Sequence, residues 1–153
     1  MAERNRLMTR RVVLGAAVLG LGGLAVMGYA RYIYNAFDGT ELTPPEAHAA
    51  AKAGDLILID IRRPDEWVRT GVPEHATPLD MRRKDFAQAL MQITGGDTSR
   101  PIALICARGV RSDRMSARLT EAGFTAIRDV PEGMLGSSAG PGWLKRDLPV
   151  TQP

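Results

Sequence analysis

The chain is short of several residue types, and each shortage closes off a class of function. It has a single cysteine, Cys106, in 153 residues, so no internal disulfide can form. One cysteine and two histidines far apart in sequence, His48 and His75, do not suggest a zinc site, and no metal or organic cofactor is implied. Aromatic residues make up 5% of the chain and are scattered, too sparse to stack on bases. There is no internal repeat and no low-complexity stretch. Beyond the N-terminus there is also no excess of positive charge. Residues 1–31 hold Arg4, Arg6, Arg10, Arg11 and Arg31 against Glu3, a net of +4 out of a total of +3, so residues 32–153 carry −1. The basic character belongs to the N-terminal segment, which removes the main support for a nucleic-acid partner.

What is present begins with that segment. Val12 to Ala30 is nineteen residues without a charge, long enough to cross a bilayer though rich in glycine. The join Thr9-Arg10-Arg11-Val12-Val13-Leu14 resembles a twin-arginine export signal, with Val13 where a larger apolar residue is usual. Gly28-Tyr29-Ala30 is a cleavage site of the small-x-small kind, and Tyr29, Tyr32 and Tyr34 suit a membrane interface. Residues 1–37 are therefore expected to be a signal or anchor, with a hydrophobic helix at 12–30. Four arginines before the apolar run, against Arg31 after it, put the following domain (38–153) on the outer, periplasmic side.

Residues 38–153 alternate between strand-like and helix-like patterns. Thr43, Pro44 and Glu46 read as N-cap, first helical position and capping-box acid, with Gly54 as the stop. Leu56 to Ile61 is a continuous apolar run of the kind buried on both faces of a parallel sheet. Pro64–Thr70 predicts a short helix closed by Gly71, residues 76–81 a brief strand, and Lys84–Thr94 an amphipathic helix. Ile102–Cys106 predicts a strand, then a loop and a helix from about Ser112 to Ala122. Thr125–Val130 predicts a strand, Glu132–Ser138 a short helix, and Gly140-Pro141-Gly142 a closing turn. The pattern is that of a single α/β domain around a central parallel sheet.

The chemistry concentrates at Cys106-Ala107-Arg108-Gly109-Val110-Arg111-Ser112. A cysteine at the C-terminal end of a parallel strand stands where open α/β folds place ligands. Gly109 allows a tight turn, and the helix behind it directs free N–H groups and its positive dipole end at the loop. That cradle suits an anion, and a thiolate is one. The plainer alternative is a cysteine that fills space at the end of a buried strand, with Arg111 paired on the surface to Asp113 or Glu132. Two arginines flanking the cysteine in a loop favour the reactive reading. Asp60 and Arg62, at the end of the neighbouring strand, are expected to brace the loop as a pair. Trp67 and Trp143 read as core or turn packing.

Three separated stretches carry a resemblance to the rhodanese-like sulfurtransferases over roughly residues 40–150. They are Leu58-Ile59-Asp60-Ile61-Arg62 with Asp65-Glu66-Trp67, the loop C-x-x-G-x-R-S at 106–112, and Glu132-Gly133-Met134 with Gly140-Pro141-Gly142-Trp143-Leu144. The sequence departs from the family at Gly71-Val-Pro-Glu-His-Ala76, where members often read G-H-I-P-G-A. The resemblance implies a central parallel sheet with helices on both sides. It implies that Cys106 takes a sulfane sulfur from a small anion such as thiosulfate, holds it as a persulfide, and yields it to a thiol or cyanide. Residues 107–112 would then bind the substrate. Two other readings share the loop: a non-catalytic persulfide carrier or redox-sensing module, and a phosphatase or arsenate reductase. The latter enzymes usually need a longer loop than the four residues between Cys106 and Arg111.

Overall fold

The structure, a computed structural model, describes residues 37–153, which form one compact unit. The expected signal or anchor, with its apolar run at 12–30, lies outside the described residues. Among the described residues no helix is long and apolar enough to cross a membrane.

Five parallel strands form the sheet: β1 (Thr40–Glu41), β2 (Ile57–Asp60), β4 (Ala76–Pro78), β5 (Ile102–Ile105) and β6 (Ile127–Val130), in the order β1-β6-β5-β2-β4. Strand β5 is central, and all four of its residues are buried. Its side chains alternate between two layers. Ile102, Leu104 and Cys106 face a cluster with Phe86, Leu90, Met115 and Leu119, which belong to α3 (Phe86–Ile93) and α4 (Val110–Glu121). Ala103 and Ile105 face the opposite cluster with Ala47 of α1 (Pro44–Ala53) and Trp143 of α5 (Gly142–Lys145). A strand with both faces covered must be apolar throughout, which is why it reads as an unbroken run. The expected central parallel sheet with helices on both sides is thus what the chain forms. A second, two-stranded antiparallel sheet joins β3 (Val72–Pro73) to β7 (Val150–Thr151). Neither short strand has an apolar period that would announce it.

Most boundaries fall within two residues of the sequence reading. Helix α1 starts as expected, with the Thr43 amide donating to Glu46 Oε2 at 2.8 Å, and Gly54 closes it in the left-handed conformation. Helix α2 (Pro64–Thr70) ends at Gly71. One expectation fails. Residues 132–138 are not a helix but a series of turns, and a helix forms later, at α5, where only a closing turn was expected. Gly133 (φ +65°) and Gly136 (φ +89°) take left-handed backbone, and the amides of Met134 and Leu135 donate to the carbonyls of Cys106 and Ala107 instead of within their own segment.

The expected pair of Asp60 and Arg62 is a buried brace. Arg62, 1% exposed, donates through Nε and Nη2 to both Asp60 oxygens at 2.9 and 2.6 Å. It also donates to Gly71 O at 2.6 Å and Thr70 Oγ1 at 2.7 Å, tying the end of α2 to the end of β2. Removing one partner leaves the other charged and desolvated, a loss of about 3–5 kcal/mol. Arg62→Ala should therefore lower the denaturant-unfolding free energy by about that amount. A loss within about 0.5 kcal/mol would show the pair to be ornamental.

Candidate functional site

Cys106 directly follows β5 and is 1% exposed. The alternation of β5 explains its burial, because the sulfur falls on the α3 and α4 layer. From there the chain turns sharply through Ala107, Arg108 and Gly109 into α4. Gly109 has φ +84°, and a Cβ on it would lie 2.2 Å from Pro131 O, so both conformation and space require glycine. Gly133 is equally constrained from below: a Cβ there would come within 2.6 Å of the Ala107 carbonyl.

The loop is anchored by its carbonyls. Cys106 O and Ala107 O each accept from a backbone amide, Met134 and Leu135, both at 2.9 Å. No peptide in the described chain is cis, so the N–H of the next residue points away from its preceding carbonyl. The amides of Ala107 and Arg108 therefore point away from the 134–135 segment. The first amides of α4, which lack partners within the helix, add to this set. Ser112 is fully buried one turn into α4, and its hydroxyl donates to Gly109 O at 2.9 Å.

The two arginines part company. Arg111 pairs with neither Asp113 nor Glu132, the surface partners considered for it. Its Nη1 and Nη2 donate to the two oxygens of Glu66 at 2.8 and 2.7 Å. Glu132 instead takes Arg146 and the amide of Gly142. The Arg111 hydrogen bonds hold the Glu66 carboxyl down at about 2, against the opposing effect of burial. Hydrogen bonding to Glu66 raises the Arg111 pKa against the effect of burial, with Cys106 adding in the same direction. Of its five N–H donors two go to Glu66, leaving three for other acceptors. Arg108 is exposed and reaches Gly136 O at 3.3 Å, leaning along the rim. Val110 stands 59% exposed at the lip, close in sequence to the cysteine it would screen.

Glu66 is the site residue that sequence reasoning did not single out. Its signal was present in the Asp65-Glu66-Trp67 stretch, which carried the resemblance without a role for the acid; Glu66 also accepts from the Arg63 amide at 3.1 Å, at the start of α2. Asp129, in β6, was missed as well. Burial pushes its carboxyl up to about 7, the Ser112 hydroxyl pulling the other way, and its Oδ1 has no hydrogen-bond partner among the described residues. A second group was read as unconnected: His48, on α1, and His75, between β3 and β4, lie stacked with ring centroids 5.7 Å apart. They are distant only along the chain.

A model of the rhodanese-like domain matches residues 43–139, more than half of the chain. The protein belongs to the rhodanese-like domain family. A polysulfide-sulfur transferase homodimer from Wolinella succinogenes is 25% identical, with a TM-score of 0.63 over 86% of this chain and 92% of that one. The Rv0390 protein of M. tuberculosis is also 25% identical, with a TM-score of 0.58 over 75% and 98% of the two chains. A tRNA uridine(34) hydroxylase of Legionella pneumophila (strain Corby) is 28% identical over 103 residues, 67% of this chain. The match spans only 39% of that relative's length.

The Arg111–Glu66 pair makes stability depend on pH with a definite sign. Glu66 titrates at about 2 when folded, below the usual carboxyl value of 4.5, so its contribution is complete above 4.5 and is lost as pH falls toward 2. Denaturant unfolding between pH 5 and 2 should therefore show a shallower decline for Glu66→Gln than for the parent (pH limits ~5 and ~2). Parallel declines would mean that the pair does not hold in solution.

Proposed function

We propose that this protein is a sulfurtransferase in which Cys106 carries sulfane sulfur as a persulfide, with thiosulfate as a competent donor and a thiol or cyanide as acceptor. The observation that carries the reading is the position of Cys106, buried at the floor of a short glycine-turned loop with Arg111 beside it, a setting suited to an anion. In the first half-reaction the Cys106 thiolate attacks the outer sulfur of thiosulfate. A new S–S bond forms, the old one breaks, and sulfite leaves with the bonding pair. In the second, an acceptor nucleophile attacks the terminal sulfur, and the Cys106 thiolate departs. Every species at the loop carries negative charge, so one set of preorganised donors serves thiolate, persulfide and departing sulfite. Arg111, fixed on one edge by Glu66, offers its remaining N–H groups without reorganising. Arg108, on the rim, is suited to a first contact with the incoming anion.

Family membership and the sulfur transferase among the similar structures support this at the level of the reaction class. Only four residues lie between Cys106 and Arg111, which favours a small sulfur electrophile over the tetrahedral phosphate of a phosphatase. With a net charge of −1 over residues 32–153, the domain favours a small anion drawn in by a local cradle over a nucleic acid such as the tRNA named for its relatives. The arginines of the N-terminal segment support export or membrane anchoring, with the domain on the outer side.

Incubation with thiosulfate should add one sulfur atom to Cys106 by intact mass and release an equal amount of sulfite, and cyanide should discharge it. Cys106→Ser should abolish all three. Arg111→Ala should lower turnover about 10²-fold or more while the protein remains folded. A folded protein with a free thiol that neither gains sulfur nor releases sulfite overturns the thiosulfate reading and leaves the carrier reading, tested with a protein persulfide as donor.

A further inference from the structure

A cluster unconnected with the sulfur chemistry lies beside α1. His48 sits in the middle of α1, while Glu74 and His75 form the connection between β3 and β4, twenty-six residues further along for Glu74. The His48 Nε2 is 2.9 Å from Glu74 Oε2, and the His75 Nε2 is 3.3 Å from the same oxygen. One ligand atom from each residue lies within 4.8 Å of the other two. Metal–nitrogen and metal–oxygen bonds of about 2.0–2.1 Å at tetrahedral angles place neighbouring ligand atoms about 3.3–3.4 Å apart. The two distances to Glu74 already approach that spacing.

The ligand set is also held from behind. His48, 16% exposed at its side chain, meets the buried Trp143 edge-on at 5.5 Å. Trp143 Nε1 donates to Pro149 O at 3.0 Å, and the Glu74 amide donates to the same carbonyl at 3.0 Å. A single acceptor thus positions both the residue that orients His48 and the backbone of Glu74. His75 stands at φ +64°, one of two non-glycine residues with positive φ among those described. In this strained conformation the His75 imidazole lies against Glu74 and His48. Lys52 is the other charged group near the Glu74 carboxylate. The cluster flanks the start of β4, whereas Cys106 lies past the end of β5, so it belongs to the opposite end of the strands.

We propose that His48, Glu74 and His75 bind a divalent transition-metal ion, zinc in the first instance, through two imidazoles and one carboxylate with solvent completing the shell. Bound there, the ion clamps α1 to the β3–β4 connection, as the His48–Glu74 hydrogen bond does in its absence. It takes no part in the sulfur chemistry, so the proposal stands or falls apart from that reading.

The test uses the full chain in detergent, without a polyhistidine tag and stripped by chelator, in a Cys106→Ser background that removes the competing thiol. Zinc titrated against a chromophoric chelator should bind at one equivalent per chain. His48→Gln and His75→Asn should each weaken it about tenfold or more, and asparagine tolerates the positive φ at 75. Cobalt added to the parent chain, with Cys106 intact, should give the visible bands of a tetrahedral ion without a thiolate charge-transfer band, a readout that needs no variant to fold. Absence of one-equivalent binding, binding indifferent to both histidines, binding that requires Cys106, or only the spectrum of hydrated cobalt would each overturn the proposal.

Discussion

Two backbone hydrogen bonds, from Met134 and Leu135 to the carbonyls of Cys106 and Ala107, fix the orientation on which the site depends. A loop of this length could present either its carbonyls or its amides to an incoming group. Carbonyl oxygens would repel an anion. Committing them to the 134–135 segment turns the following amides away, and in doing so makes the loop attractive to negative charge. The segment is itself anchored, because the amides of Trp143 and Leu144 donate to Gly133 O and Met134 O. A chain of backbone bonds thus runs from the buried Trp143 to the cysteine. The glycines at 109 and 133 are required along it, because each marks a place where two backbones approach too closely for a side chain.

The electrostatics of the site are built from unlike neighbours. Glu66 neutralises much of the Arg111 charge, so the loop does not depend on a strong net positive field. The pair contributes direction: a guanidinium held on one edge keeps its other donors where they are needed. Asp129, beside Ser112, is kept from ionising readily by burial, with the acidic neighbours Asp113 and Glu41 adding in the same direction. The Glu66–Arg111 pair thus gives the loop its polarity in a domain whose net charge is slightly negative.

The strands and helices were legible in the sequence wherever burial imposed a period. Strand β5 had to be apolar because both its faces are covered, and α1 announced itself through Thr43, Glu46 and Gly54. The loop was legible because its residue types are unusual side by side, and the brace of Asp60 and Arg62 because both end the same apolar run. The failures have one physical origin: partners brought together by tertiary structure. Residues 132–138 have enough helical character to be misread, but their amides are claimed by Cys106 and Ala107. Arg111 had acidic candidates nearby in sequence and took Glu66, 45 residues away. His48 and His75 looked isolated for the same reason. The two-residue strands β1, β3 and β7 carry no period at all and exist through their pairings.

Those pairings have a kinetic side. Thr40 of β1 pairs with Arg128 of β6, and Val72 of β3 with Thr151 of β7, so both contacts join segments far apart along the chain. Contacts of high sequence separation require closing long loops before they return any stabilisation, and they form late and slowly. Until β1 arrives, the outer side of β6 is an unpaired parallel edge next to the most apolar strand of the sheet. An open edge of that kind recruits other chains. The shortest strand of the sheet thus covers that edge at Arg128 and Asp129, so a strand of two residues carries the protection of β6 against pairing with other chains.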